Sequence, residues 1–116
     1  IAAGYPVLAK ENIEGEVPVS PAHARTGSFA LRVRGDSMIY RGILDGDIII
    51  VDPELPASQG DIVVALVDDE STVKQFYRHG SLVELRPANT SMESILIPAD
   101  SVRIQGVVSA LQRTIR

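Results

Sequence analysis

Residues 35–38, with the sequence Gly-Asp-Ser-Met, place a serine directly after an alternating run of apolar and basic residues. Gly-Asp-Ser is frequent turn chemistry, and on that interpretation Ser37 has no special role. A serine at a turn can also act as a nucleophile, provided that a neighbouring base removes its proton. The chain contains no cysteine, which excludes a thiol nucleophile, a thiolate zinc site and a disulfide framework. The choice therefore depends on finding a base for Ser37.

Three of the four candidate bases have no local support. His23 lies among prolines and alanines in a loop, and His79 stands just before Gly80 at a turn. Neither has an acid nearby in a triad arrangement, so both are predicted to be exposed bystanders. Lys10 lies in a loop-rich first segment and is predicted to be solvated.

Lys74 is different, because it falls inside a strand-like run, residues 72–76. Period-two alternation puts Thr72, Lys74 and Phe76 on one face of that strand. One interpretation is a lysine at a sheet edge, where charge discourages aggregation. The functional interpretation requires burial to lower the pKa by several units, because a free lysine with a pKa of about 10.4 is almost entirely cationic at pH 7. Ser37 and Lys74 then form a complete serine–lysine pair, if the fold brings them together.

The aspartates do not indicate a metal site. Asp45 and Asp47 have the spacing of calcium ligands, but the sequence does not continue into an EF-hand loop. We predict that the aspartates at the strand junctions form turns instead, namely Asp45, Asp47, Asp52, Asp61, Asp68 and Asp69. No metal and no cofactor is predicted.

The elements that must position Ser37 and Lys74 are predicted to be strands. Alternating or β-branched runs, separated by turn signals, cover residues 28–34, 48–51, 62–67, 71–77, 81–86, 94–97 and 102–112. Short strands are also expected around residues 7–9 and Val17, and one helical turn over 38–41. Many short strands at this spacing predict an all-β sandwich or barrel-like fold.

The composition predicts one compact domain that is by itself a poor candidate for binding nucleic acid. The chain has 116 residues, 45% of them hydrophobic, a net charge of −4 and a pI near 5.0. No apolar run approaches 18 residues, so no membrane span is predicted. The absence of cysteine fits a reducing cytoplasm. The chain begins with Ile1 and has no charged leader, and we interpret it as a fragment of a longer protein.

Several segments together resemble the self-cleaving domain of LexA-type repressors, of peptidase family S24. The matching segments are residues 33–38, 42–47, 60–65, 72–74, 87–89 and 104–108. The same signatures occur in UmuD-type polymerase accessory proteins and lambdoid phage repressors. Residues 1–9 and 11–15 resemble the LexA cleavage-site region, whereas residues 48–52 and 113–116 are somewhat more similar to UmuD-type sequences. A UmuD-like or phage-repressor relative is therefore the alternative.

The resemblance implies an all-β catalytic domain of short, highly twisted strands, similar to LexA and signal peptidase. It implies that Ser37 is the nucleophile, that Lys74 is the general base, and that the Ala3–Gly4 bond is cleaved. Backbone N–H groups of Asp36 and Ser37 are expected to form the oxyanion hole. Residues 1–27 are then a leader with the cleavage site, and residues 28–116 a catalytic and dimerisation domain.

The resemblance also implies partners. A RecA filament on single-stranded DNA is expected to stimulate cleavage. Operator DNA is expected to be bound only by an N-terminal winged helix–turn–helix domain that is absent from these residues. A homodimer is expected through the last predicted strand, residues 102–112, as an exposed edge, the alternative being burial within its own sheet. Two competing classes are a non-catalytic dimerisation module and a signal-peptidase relative. The missing membrane anchor counts against the signal-peptidase relative.

Overall fold

The computed structural model describes the backbone of residues 3–8, 13–23, 25 and 27–115, and among these the side chains from Val17 onward. This part of the chain contains nine β-strands and two single 3-10 turns, at Ile39–Arg41 and Ala99–Ser101. The strands are β1 (Ala3–Leu8), β2 (Ile13–Val19), β3 (Phe29–Arg32), β4 (Ile48–Asp52), β5 (Ile62–Val67), β6 (Glu70–His79), β7 (Leu82–Arg86), β8 (Ile95–Pro98) and β9 (Arg103–Gln112). The predicted all-β class is confirmed. Ala9 and Lys10 lie outside the described residues.

All nine strands belong to one sheet, in the order β2-β1-β3-β4-β9-β5-β6-β7-β8. Neighbours are antiparallel except β1 and β3, which run parallel. The predicted leader therefore contributes two strands, longer than expected, to the same sheet as the rest of the chain. The continuous β-branched run after residue 47 forms β4, in which every residue is buried, as its composition indicated.

The prediction that residues 102–112 form an exposed edge is wrong. Strand β9 lies between β4 and β5, pairing Val51 with Val108 and Val63 with Val107. Its approach to β4 is close at Gly106, where a Cβ atom would lie 2.5 Å from Val51 Cγ1. A ten-residue strand is long enough to pair with two neighbours along different parts of its length, and β2 and β8 are the outer strands of the sheet.

A buried cluster supports the turn that follows β3. Met38 is 1% exposed, and it packs in a cluster with Val33, Ile43, Ile49, Val51, Val64 and Ala88. Because the side chain next to Ser37 is anchored in the core, the position of the serine is set by packing and not only by the loop backbone. No helix in the described part of the chain is long and apolar enough to cross a membrane.

Candidate active site

Ser37 lies in the turn that follows β3, five residues after the end of that strand. The strand was predicted to extend to residue 34, but it ends at Arg32. The chain turns at Gly35, whose φ of +85° is in the left-handed region that glycine adopts without strain. The Gly35 N–H donates to Asp45 Oδ1 at 2.7 Å. Gly35 and the Asp45 carboxylate therefore fix this turn, and Ser37 within it is half-buried.

Lys74 lies in the middle of β6, between β5 and β7 in the sheet. Its Cα partner on β5 is Val63, which is fully buried. The interpretation of Lys74 as a sheet-edge lysine is therefore wrong. Phe76, two residues further along the same face, is 8% exposed and packs in the core with Val63.

The fold brings Ser37 and Lys74 together. Lys74 Nζ donates a hydrogen bond to Ser37 Oγ at 3.2 Å and another to Thr72 Oγ1 at 2.6 Å. Burial lowers the pKa of the Lys74 ammonium, because desolvation disfavours its charged form. Among the described residues, no carboxylate forms an ion pair with this ammonium, so nothing opposes the effect of burial. A lysine in this state is suited to accept a proton from a hydroxyl.

Thr72 is a residue to which the sequence assigned a face but no role. Its hydroxyl oxygen accepts from Lys74 Nζ, and the two side chains stand two residues apart on one strand. The alternation of β6 was therefore the signal that could have found this contact. With Ser37 and Thr72 both as partners, the amine is held in one orientation.

A cleft of about 680 Å³ opens beside the pair. Ser37, Thr72 and Lys74 line it, and its walls combine aliphatic, acidic and basic side chains: Leu31, Val33, Val64, Val73, Arg32, Arg34, Asp69 and Glu70. Gln105 also lines it and accepts a hydrogen bond from Ser71 Oγ at 2.8 Å. Gln105 is the unpaired residue where the register of β9 shifts against β5, a device that re-aims a side chain. Ser37 and Lys74 therefore line one cleft that has apolar and charged walls.

The segment after β7 holds the backbone on either side of the serine. The Ala88 N–H donates to the Ser37 carbonyl at 2.7 Å, and Ala88 accepts in turn from the Tyr40 N–H at 2.9 Å. Asn89 Nδ2 donates to the Asp36 carbonyl at 2.9 Å. Within the described residues, the N–H groups of Asp36 and Ser37 donate no hydrogen bond. Both predicted oxyanion donors therefore have no hydrogen-bond acceptor among the described residues.

The Ala3–Gly4 bond does not lie with the pair. Ala3 pairs with Val19 in the antiparallel ladder of β1 and β2, and Val7 lies opposite Ala30 in parallel β3. Ala3 is four residues before Val7, so it lies about 13 Å from that point toward the start of β3. Ser37, in contrast, follows the end of β3. The predicted cleavage segment therefore lies in the β1–β2 ladder, toward the opposite end of β3 from Ser37.

The remaining predicted candidates take other roles. His79 Nε2 contacts Glu84 Oε1 at 2.8 Å, and His79 is the last residue of β6, five residues after Lys74. Hydrogen bonds from Arg86, His79 and Ser94 lower the pKa of Glu84 to about 2. The aspartate turns are present, since side chains of Asp45, Asp47, Asp52 and Asp61 accept backbone N–H bonds at 2.7–2.9 Å, and Asp68 and Asp69 have positive φ in the β5–β6 turn. Asp47 also binds Arg113, which lowers its pKa.

Comparison with known proteins places this geometry in context. Residues 1–109 match the family described as Peptidase S24-like. The LexA repressor of Moorella thermoacetica is 51% identical over 114 residues, covering 97% of this chain and 55% of that protein. The LexA repressors of Syntrophomonas wolfei and Clostridioides difficile are 47% and 46% identical, covering 99% and 100% of this chain and 56% of each relative. The chain thus spans about half the length of the curated relatives it matches.

Proposed function

Because the chain belongs to the Peptidase S24-like family, we propose that it is the self-cleaving C-terminal domain of a LexA-type SOS repressor. Ser37 is the nucleophile, Lys74 is the general base, and the Ala3–Gly4 bond is the substrate. The observation that carries the proposal is the 3.2 Å separation of Lys74 Nζ and Ser37 Oγ, with an amine whose pKa burial lowers. Cleavage inactivates the repressor in the response to DNA damage.

The reaction proceeds by transfer of one acyl group. Neutral Lys74 takes the proton of Ser37 Oγ as the oxygen attacks the Ala3 carbonyl carbon, and the carbonyl electron pair moves onto the oxygen. The N–H groups of Asp36 and Ser37 donate to that oxyanion. Collapse breaks the bond to Gly4, whose amine takes the proton from Lys74. Water, deprotonated by Lys74, then hydrolyses the ester between Ala3 and Ser37.

The substrate reaches the site by an intramolecular route. About 33 residues connect Gly4 to Ser37, which is ample for an extended segment to return. Attack within one chain requires no diffusional encounter. In the arrangement with β1 alongside β3, cleavage first requires β1 to leave that position and enter the cleft. The position of β1 therefore regulates cleavage, because a docked substrate beside a neutral lysine is cut at once.

Alkaline incubation of the chain tests the proposal directly. We expect mass analysis to show loss of Ile1-Ala2-Ala3 and a new chain that begins at Gly4, because high pH neutralises Lys74 without a partner. The same sample held at neutral pH is the control. An intact mass after prolonged incubation, or a cut at another bond, would overturn the proposed reaction.

A RecA filament on single-stranded DNA is the proposed activator, as the family resemblance implies. A partner can accelerate cleavage only by binding the docked conformation more tightly than the open one. We expect the filament to raise the cleavage rate at neutral pH, whereas RecA without DNA does not. Operator binding is assigned to the part of the repressor outside this chain. Equal cleavage rates with and without the filament would contradict the proposed activation by RecA.

We also propose a homodimer, although a free edge of β9 no longer supports it. Its support is the family resemblance and two exposed apolar side chains near the chain end, Leu111 at 39% and Ile115 at 88% exposure. Sedimentation equilibrium of the chain should give twice the monomer mass, and Ile115→Glu should shift it toward the monomer. A monomer at high concentration would contradict the proposal.

A further inference from the structure

A buried amide contacts the backbone next to the proposed nucleophile. Asn89 is 7% exposed, and its Nδ2 donates to the Asp36 carbonyl at 2.9 Å. Its Oδ1 accepts from the N–H and the Oγ of Ser91, at 3.0 and 2.8 Å. Rotating the amide by half a turn would set Nδ2 against the Ser91 N–H. This backbone N–H therefore fixes which end of the Asn89 amide faces Asp36. Asn89 therefore acts as a donor to that carbonyl.

This carbonyl and the Ser37 N–H belong to one peptide unit. In a trans peptide the C=O and N–H point in opposite directions, and the described part of the chain contains no cis peptide bond. A donor held on the Asp36 carbonyl therefore directs the Ser37 N–H to the side away from Asn89. Ser37 lines the cleft, and within the described residues nothing accepts from its N–H.

The physical effect is preorganisation. A hydrogen bond on the carbonyl polarises the peptide and strengthens the donor at its other end. An oxyanion hole is effective because its donors are already aimed before negative charge develops. The Asp36 N–H belongs to the preceding peptide and is not held by Asn89, so the effect is confined to one of the two proposed donors.

We infer that Asn89 is a positioning residue for cleavage, which acts by holding the Ser37 N–H toward the oxyanion. The inference rests on the proposed serine–lysine function. Within the described residues, Asn89 makes no hydrogen bond with Ser37 Oγ or with Lys74. Its effect on the reaction is therefore on the oxyanion and not on the base, and this difference can be measured.

The test uses Asn89→Asp, which keeps the size of the side chain but replaces the donor with an acceptor, and Asn89→Ser, which is uncharged and too short to reach. In both variants we expect the alkaline cleavage rate to fall about tenfold to hundredfold, somewhat less than the loss of a whole oxyanion donor. The midpoint of the pH–rate profile is read from Asn89→Ser, where it should stay that of the parent, because that variant adds no charge near Lys74. Ser91→Ala, which leaves the Asp36 contact in place, is the matched control and should cleave at nearly the parent rate.

The outcomes separate the two levels of the account. If the parent cleaves in a Ser37-dependent way and both Asn89 variants, folded by thermal melting, cleave equally fast, the inference is wrong and the proposed function stands. In Asn89→Ser, a shifted midpoint with an unchanged plateau would also overturn it, because Asn89 would then act through the lysine. If the parent does not cleave, or cleaves without Ser37, the proposed function itself fails. Should Asn89→Asp not fold, Asn89→Ser alone decides.

Discussion

Ser37→Ala is expected to give a folded chain that keeps its first three residues at every pH. The substitution removes the only proposed nucleophile, and loss of such a group typically lowers the rate by about four orders of magnitude or more. The contact removed is the single hydrogen bond from Lys74 Nζ to Ser37 Oγ, while neighbouring Met38 still anchors the turn in the core. Mass analysis over an alkaline time course measures the effect.

The matched control is Ser71→Ala, which removes another cleft hydroxyl, one that donates to Gln105. It should leave most of the cleavage intact, because Ser71 has no contact with Lys74 in the structure. If Ser37→Ala loses the same three residues at a rate near that of the parent, the nucleophile lies elsewhere or cleavage is due to a contaminating protease.

Lys74→Met is expected to abolish cleavage and its dependence on pH together. In the parent, the neutral fraction of Lys74 and hence the rate should rise about tenfold per pH unit up to the pKa of Lys74 and then level off. Since burial lowers that pKa, the plateau should begin below about pH 10.4, where a free lysine titrates. Methionine matches the length of lysine but offers no base. Rates measured from pH 7 upward give both results.

The same titration has a consequence for stability. The folded state holds the Lys74 proton less tightly than the unfolded state, so the free energy of unfolding should rise with pH between the two pKa values. The penalty of a charged Lys74 is present in full below the folded pKa and is lost by about pH 10.4. Lys74→Met should lack this rise, whereas Arg103→Met, at an exposed position on β9, should keep it. For the cleavage reaction itself, a parent cleavage rate that is flat from neutral to strongly alkaline pH would rule out lysine as the base.

Sequence reasoning reached the parts of the site that local pattern encodes. The alternation of β6 put Thr72, Lys74 and Phe76 on one face, and the structure has Lys74 bonded to Thr72 with Phe76 in the core. The Gly-Asp-Ser pattern predicted the turn that presents Ser37, in which Gly35 has a positive φ. These features depend on residues close in sequence or on period two, both of which are visible without a fold.

What the sequence could not supply are contacts between distant segments. Periodicity does not encode strand order, so β9 was assigned to an edge although it lies between β4 and β5. The Asn89 contact with Asp36 spans 53 positions, and no local signal distinguishes it from a turn asparagine. The pairing of Ala3 with Val19 likewise joins two segments that no local pattern relates to each other.

The proposed cleavage depends on an amine that water would keep cationic and whose pKa is lowered by burial beside a hydroxyl. NMR titration of the lysine side chains in Ser37→Ala, which cannot consume itself, measures this directly. The chain has only two lysines, so Lys10 serves as the internal reference and Lys74→Met assigns the signals. We predict that the Lys74 amine titrates clearly below the reference. A value equal to that of Lys10, or above it, would contradict the mechanism.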